Sequence, residues 1–500
     1  MKFKIPLLLV FILPFILFAQ RITYSEPERD DTRSLNFEVI GKINGNFIVY
    51  KNIRTKNAVS VYDNEMKLKE RVDLDFIPDR TINVDFIAYP NHFYVIYQFQ
   101  KRSILYCMAA KLDGNGKIIG EPIKLDTTFI SVFADNKIYN TIFSEDRQRI
   151  MIYKIQKKNE KFNFTTLLFD PQLQLQRKSR WVVPYEERRD VYSDFFVDND
   201  GNFVFAKSEK EGARDLISKV FIITKVPYSD TFEVHTINTN NFYLDEIKLK
   251  VDNINKKYLL NSFFYRQKRG DIEGLYTAVW DRETNRQTVQ NSIKFSDTLR
   301  QEAKVEGSLR YAFNDYFIRQ VVLKKDGSYI ITGENYYTQS RGNPWNRQDF
   351  LYGYSSLSSY DYYMYSPSGY WYRPRGFYNS QTRYYYNNIV VMEIDQDGQL
   401  VWHSVLHKSQ FDDETDNFLS YQVMNAGGEL HFLFNELERR NQLISDQSIT
   451  PDGTLKRNPT LRSLDKGYEF MPRFAKQVSI KQIIVPCVLR NYICFAKIDY

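Results

Sequence analysis

Between Asn335 and Asn388 the chain carries 14 of its 37 tyrosines, with Trp345, Trp371, Arg341, Arg347, Arg373, Arg375 and Arg383 among them. Tyrosine and tryptophan offer a large contact area with one polar tip at low entropic cost, and arginine adds planar donors. Such a surface suits glycans, peptides or a protein partner. The candidate ligand-binding residues are Trp345, Tyr363, Tyr370, Trp371, Tyr372, Arg373 and Arg375. The competing reading is a loop that folds back and buries its own rings, or one without fixed order.

Other constellations carry less. Asp198-Asn199-Asp200-Gly201-Asn202 resembles the start of a calcium loop, but the sixth place is Phe203 where a glycine is needed for the bend. A plain hairpin turn is expected there. His403 and His407 share one face of a strand, about 13 Å apart, too far to chelate one ion. The sequence holds no nucleophile elbow, phosphate loop or HExxH helix. A glycosidase-like carboxylate pair stays open, without a way to choose its members. No catalytic residue, metal site or cofactor is assigned.

The elements that must hold these residues are strands. A short apolar phrase ending in aspartate recurs at Asp63, Asp113, Asp170, Asp281, Asp395 and Asp499. A polar turn and a second extended segment follow nearly every copy. Asn-Gly and Asp-Gly turns favour tight hairpins because glycine reaches positive φ without penalty. Second strands are expected to begin near Phe47, Phe93, Ile150, Phe203, Tyr258, Tyr329 and Leu430, the first five 46 to 57 residues apart. A four-stranded blade with generous loops has that length. The fold class is therefore all-β, a β-propeller of about seven four-stranded blades, with an eighth near Ile483 kept open.

Residues 335–388 interrupt one blade between Ser328–Gly333 and Ile389–Asp395, and are expected to be dispensable for folding. In propellers such a loop lies on the face around the channel mouth. The chain stops just after an aspartate-ended strand, so Arg21 to Ser34 is expected to supply the outermost strand beside Asn491 to Asp499. Thr298 to Leu309 holds a turn or two of helix. Residues 20–500 form one propeller domain in this reading.

Lys324 to Glu334 (KKDGSYIITGE) and Val390 to Leu406 (VVMEIDQDGQLVWHSVL) resemble a phrase of secreted bacterial propellers, xDGGYΦΦxG followed by ΦΦKΦDxxGxΦxW, with Φ apolar. The signal ending in Phe-Ala-Gln and the Tyr/Asn/Lys-rich style resemble exported, uncharacterised β-propeller proteins of Bacteroidota. The resemblance implies a blade and no activity. Only Trp402 fills the tryptophan position, so the cofactor of quinoprotein dehydrogenases is not implied.

Lys2 and Lys4 precede a 14-residue apolar run from Ile5 to Phe18, short of the roughly 20 residues of a spanning helix. Residues 1–19 are read as a signal peptide cut after Ala19, giving a periplasmic or extracellular protein with no transmembrane segment in the mature chain. Net charge is +7 with scattered basic residues, which argues against nucleic acid. Of the three cysteines, Cys487 and Cys494 fall on adjacent predicted strands. A cross-strand bond there is open, two buried thiols the expected state. The function expected is a non-enzymatic, monomeric exported propeller that binds a protein or glycan partner through its loop face. The alternatives are a carbohydrate-active enzyme using channel carboxylates and a scaffold subunit of a cell-envelope complex.

Overall fold

The recurring aspartate ties the turn that follows it. Asp63 Oδ1 accepts the backbone N–H groups of Glu65 and Lys67 at 2.8 and 2.9 Å. Asp113, Asp170 and Asp395 accept the same pair of amides, two and four residues on. An aspartate that satisfies both amides closes the turn locally, before any tertiary contact exists. Asp198 does the same for Asp200 and Asn202, and Gly201 takes a φ of +88°. The calcium-loop look-alike is a hairpin turn, as expected.

The computed structural model describes residues 21–28, 35–130, 137–186, 188–212, 215–340, 345–352, 382–438, 441–458 and 467–500. Their strands form seven antiparallel sheets in a nearly all-β, propeller-like fold: four of four strands, two of five and one of nine. The nine-stranded sheet is two four-stranded runs, from Asp190–Val197 and from Lys248–Asp252, bridged by Tyr243–Leu244. Second strands begin at Asn46, His92, Ile150, Phe203, Lys257, Tyr329, Glu429 and Gln482. These starts lie within a residue of the positions read from the sequence.

Burial follows position in the sheet. The second strand Asn46–Ile53 is buried along most of its length, whereas the fourth, Leu68–Asp73, is almost wholly exposed. A strand covered on both faces needs apolar residues in an unbroken run, and Phe47 to Tyr50 supply one. Apolar seams join consecutive sheets. Val59 and Val61 of the first sheet pack with Val95 and Tyr97 of the second. Equivalent seams follow down the chain. A further seam packs the last sheet on the first, through Ile484, Ile493 and Phe495 against Leu35, Phe47 and Val49. Each fully buried side chain of this kind contributes about 1.5–3 kcal/mol.

The N-terminal segment completes the last sheet. Arg21–Tyr24 pairs antiparallel with the terminal strand, from Arg21 opposite Asp499 to Tyr24 opposite Ala496. Glu28 then reaches the Lys51 ammonium and the Tyr62 hydroxyl on the first sheet, with Lys51 fully buried. The helix expected after Thr298 is α1 (Asp297–Ala303), its first turn closed by Leu299 N–H donating to Ser296 Oγ at 3.1 Å.

The insertion departs from expectation at both ends. Strands Tyr329–Ser340 and Thr382–Ile394 stay paired as far as Ser340 opposite Thr382, so residues 335–340 and 382–388 are ladder rather than loop. Tyr336 and Tyr386 explain this, because both are buried on the inner face of the extension. A helix, α2 (Arg347–Tyr352), follows in the described part.

Candidate functional site

The extension becomes a three-stranded sheet when Gln410–Asp412 pairs with Tyr384–Tyr386. Side chains alternate between its two faces. One row, Tyr336, Tyr386 and Gln410, points inward and is buried. The next row sets Tyr337, Tyr385 and Phe411 directly opposite one another on the outer face. Tyr337 and Tyr385 stack with ring centroids 4.5 Å apart, and Phe411 lies 6.2 Å beyond, 56 % exposed. Beside this aromatic row Arg383 sits over the Phe411 ring at 5.0 Å and pairs with Asp413, Nη2 to Oδ2 3.1 Å. The Tyr385 hydroxyl donates to Gln339 Oε1 at 3.0 Å. Flat rings flanked by planar hydrogen-bonding groups are the chemistry that recognises sugars and peptides.

The outer row is held from behind. Trp345 Nε1 donates to Asp315 at 2.8 Å, and its ring packs edge-on to Tyr336. Arg347 of α2 runs inward, donating through Nε to Asp245 Oδ2 at 2.7 Å and through Nη1 to the carbonyls of Asn314 and Tyr316. Its guanidinium lies 4.0 Å from the Phe317 ring centroid. Below the ladder Glu334 and Lys408, both fully buried, pair at 2.8 Å, and Ser420 Oγ donates to Glu334 at 2.7 Å. Burial pulls the Lys408 ammonium below its ordinary range. A buried pair of this kind is costly to break from one side, so it fixes where the ladder springs from.

A second cluster of chemistry lies along the first strands of the sheets. Leu35–Ile43 lies against Thr81–Ala88 and Lys476–Ser479, and Asp190–Val197 lies against Tyr139–Phe143 and Lys248–Asp252. Glu38 faces Lys476 at 3.8 Å, and Lys137 Nζ binds Asp85 at 2.8 Å. Glu38 and Lys476 keep 48 % and 44 % of their side chains exposed. Even so, desolvation raises the Glu38 carboxyl and lowers the Lys476 ammonium. Removing either side chain from bulk water disfavours its charged form, and each opposes that cost on the other. Asp194 occupies a β-bulge with a φ of +54°, its Oδ2 accepting Leu249 N–H at 2.7 Å. Burial pushes its carboxyl up to about 6, against the pull of Lys248. A non-glycine residue in left-handed backbone persists only where surrounding contacts hold it.

Of the residues chosen from sequence, Trp345 is half-buried and packs against the cluster of Phe317, Tyr336 and Tyr386. Tyr363, Tyr370, Trp371, Tyr372, Arg373 and Arg375 lie outside the described residues. Sequence reasoning did not single out Tyr337, Tyr385 or Phe411, because their alignment depends on register across three strands. The signal for Tyr337 and Tyr385 was their place in the Tyr-rich segment 335–388; Phe411 had none. Among the described residues no group of three or more His, Cys, Asp or Glu is placed to hold a metal ion. No helix among them is long and apolar enough to cross a membrane.

No protein-family model and no curated protein matches this chain. Among solved structures it is similar to an ulvan lyase of polysaccharide lyase family 25, at 11 % identity and a TM-score of 0.38, covering 82 % of this chain and 90 % of that one. It is also similar to the dihydro-heme d1 dehydrogenase NirN, at 11 % identity and a TM-score of 0.38, covering 93 % and 72 %. A third is prolyl oligopeptidase B from Galerina marginata, at 8 % identity and a TM-score of 0.41, covering 92 % and 56 %. At such low similarity these likenesses assign this chain no activity.

Proposed function

We propose that this chain is an exported β-propeller that binds a protein or glycan partner through the face bearing residues 335–388. The observation that carries the reading is the aromatic row Tyr337–Tyr385–Phe411, set beside Arg383 on a ladder anchored from behind. Aromatic and arginine side chains dominate interface energetics when their support is rigid. The reading counts eight blades, the nine-stranded sheet contributing two and the N-terminal strand completing the last. The seam between last and first sheets and the side-by-side first strands support a ring. A ring protects the sheet edges that otherwise invite aggregation. Export through residues 1–19 belongs to the same reading; a mature N-terminus at Gln20, read by N-terminal sequencing, tests it.

The binding test pairs Tyr385→Ala with Phe411→Ala, and separately changes Arg383→Ala. Capture from envelope extract and binding to arrayed glycans are then compared with the unaltered chain. Loss of two row members should weaken the interaction roughly tenfold or more. Undiminished capture and glycan binding by a folded variant would place the working surface elsewhere.

A second reading is a carbohydrate-active enzyme acting at the first strands. It draws on Glu38 and Asp194 of the first strands, whose carboxyls desolvation raises, the direction a general acid needs near neutral pH. Release of new chain ends from a polysaccharide, abolished by Glu38→Gln or Asp194→Asn, would favour it over pure binding.

A further inference from the structure

We propose that Cys487 and Cys494 are joined by a disulfide as the chain folds, a covalent tie within the sheet in which Arg21–Tyr24 pairs with Tyr492–Asp499. The turn sets up the pair. Arg490 and Asn491 have φ of 49° and 69°, the left-handed conformation that a two-residue hairpin turn requires. That turn fixes the register: Leu489 opposite Tyr492, Val488 opposite Ile493, Cys487 opposite Cys494. Facing residues of an antiparallel pair have Cα atoms about 4.5–5.5 Å apart, inside the roughly 4.4–6.8 Å span of disulfides. The two sulfurs lie 2.9 Å apart, already in contact. Both are fully buried in the seam with Leu433 and Val485, so a bond once formed is shielded from reductants.

The third cysteine sharpens the assignment. Cys107 lies in the seam between the second and third sheets, opposite Gln98 and Asp126. No other cysteine shares that seam. The odd cysteine count therefore resolves into one pair and one isolated thiol.

The chemistry is thiol–disulfide exchange with an external disulfide. The thiolate of one cysteine attacks a sulfur of that disulfide, forming a mixed disulfide and expelling one thiolate. The thiolate of the other then attacks the protein sulfur, forming the Cys487–Cys494 bond and expelling the second. The two cysteines lose two electrons and two protons, and the external disulfide becomes two thiols. Burial raises the Cys487 thiol, and the thiolate is the attacking species, so exchange belongs to folding rather than to the finished sheet. Only the cellular source of the oxidant, an oxidising compartment, rests on the export reading.

The full chain, reduced and unfolded in denaturant, is refolded with glutathione disulfide or with reduced glutathione. It is then denatured and alkylated, and its peptides are mapped. With glutathione disulfide, one of the three thiols should remain open to alkylation, Cys107, and one linked peptide should hold Cys487 and Cys494. A Cys107→Ala chain treated alike should leave none. Three alkylated thiols, glutathione adducts at Cys487 or Cys494, or a bond to Cys107 would each overturn the proposal. The result does not depend on where the protein resides, and cell fractionation tests export separately.

Discussion

Replacing Arg347 with methionine removes the charge that faces Asp245 while keeping most of the side-chain volume. Asp245 is fully buried, and would keep the Tyr265 hydroxyl at 2.8 Å while losing its guanidinium. The carbonyls of Asn314 and Tyr316 would lose a donor as well. Removing one member of a buried ion pair costs about 3–5 kcal/mol, much of it the penalty on the charge left behind. A chain of 500 residues unfolding as one unit has an unfolding entropy of roughly 1 kcal/mol/K, so the midpoint should fall by about 3–5 °C. The assay is thermal unfolding of Arg347→Met, Asp245→Asn and the double variant. The pair should couple by about 1–3 kcal/mol, the double variant losing less than the two singles together. The pH dependence has a definite sign. Desolvation raises the folded Asp245 carboxyl and Arg347 lowers it, so losing Arg347 raises it further. A folded pKa above the unfolded value costs stability as pH rises through the folded pKa. The Arg347→Met defect should thus be smaller at pH 5 than at pH 8. Unchanged melting and no coupling would refute the claim that α2 anchors the body, and would make the whole insertion separable.

Further outcomes follow from other contacts. Deleting residues 21–28 should lower the denaturant midpoint sharply, because the last sheet loses its outer strand and buried Lys51 loses the Glu28 carboxylate. Asp194→Asn should flatten the pH dependence of stability: the carboxyl titrates at about 6 when folded, so the stability it contributes is present below pH 4 and fades as pH rises through 6. Melting curves of both chains from pH 4 to 7 check this. Gly453→Ala should cost about 2–4 kcal/mol in denaturant unfolding, because at φ +84° a Cβ would come within 2.5 Å of the Trp402 ring.

The hairpin array was legible in the chain itself because its determinants are local. Asp63, Asp113, Asp170 and Asp395 each bind amides within four residues, so the turn and its aspartate are read together. The unbroken apolar second strands are equally local, and their starts could be placed to a residue. The strand beside the terminal hairpin was expected from the need to cover an open edge, a rule that requires no coordinates. What the sequence left undecided depends on register and on contacts far apart in the chain. A shift of one residue moves every side chain to the opposite face, so only the paired strands tell Tyr336 and Tyr386, buried, from Tyr337 and Tyr385, turned outward. Phe411 joins that row through a strand 26 residues beyond Tyr385. The Trp345 indole N–H donates to Asp315, 30 residues earlier, a contact no periodicity reveals. Arg347 and Asp245, 102 residues apart, are joined only by tertiary structure, a contact no local pattern in the chain announces.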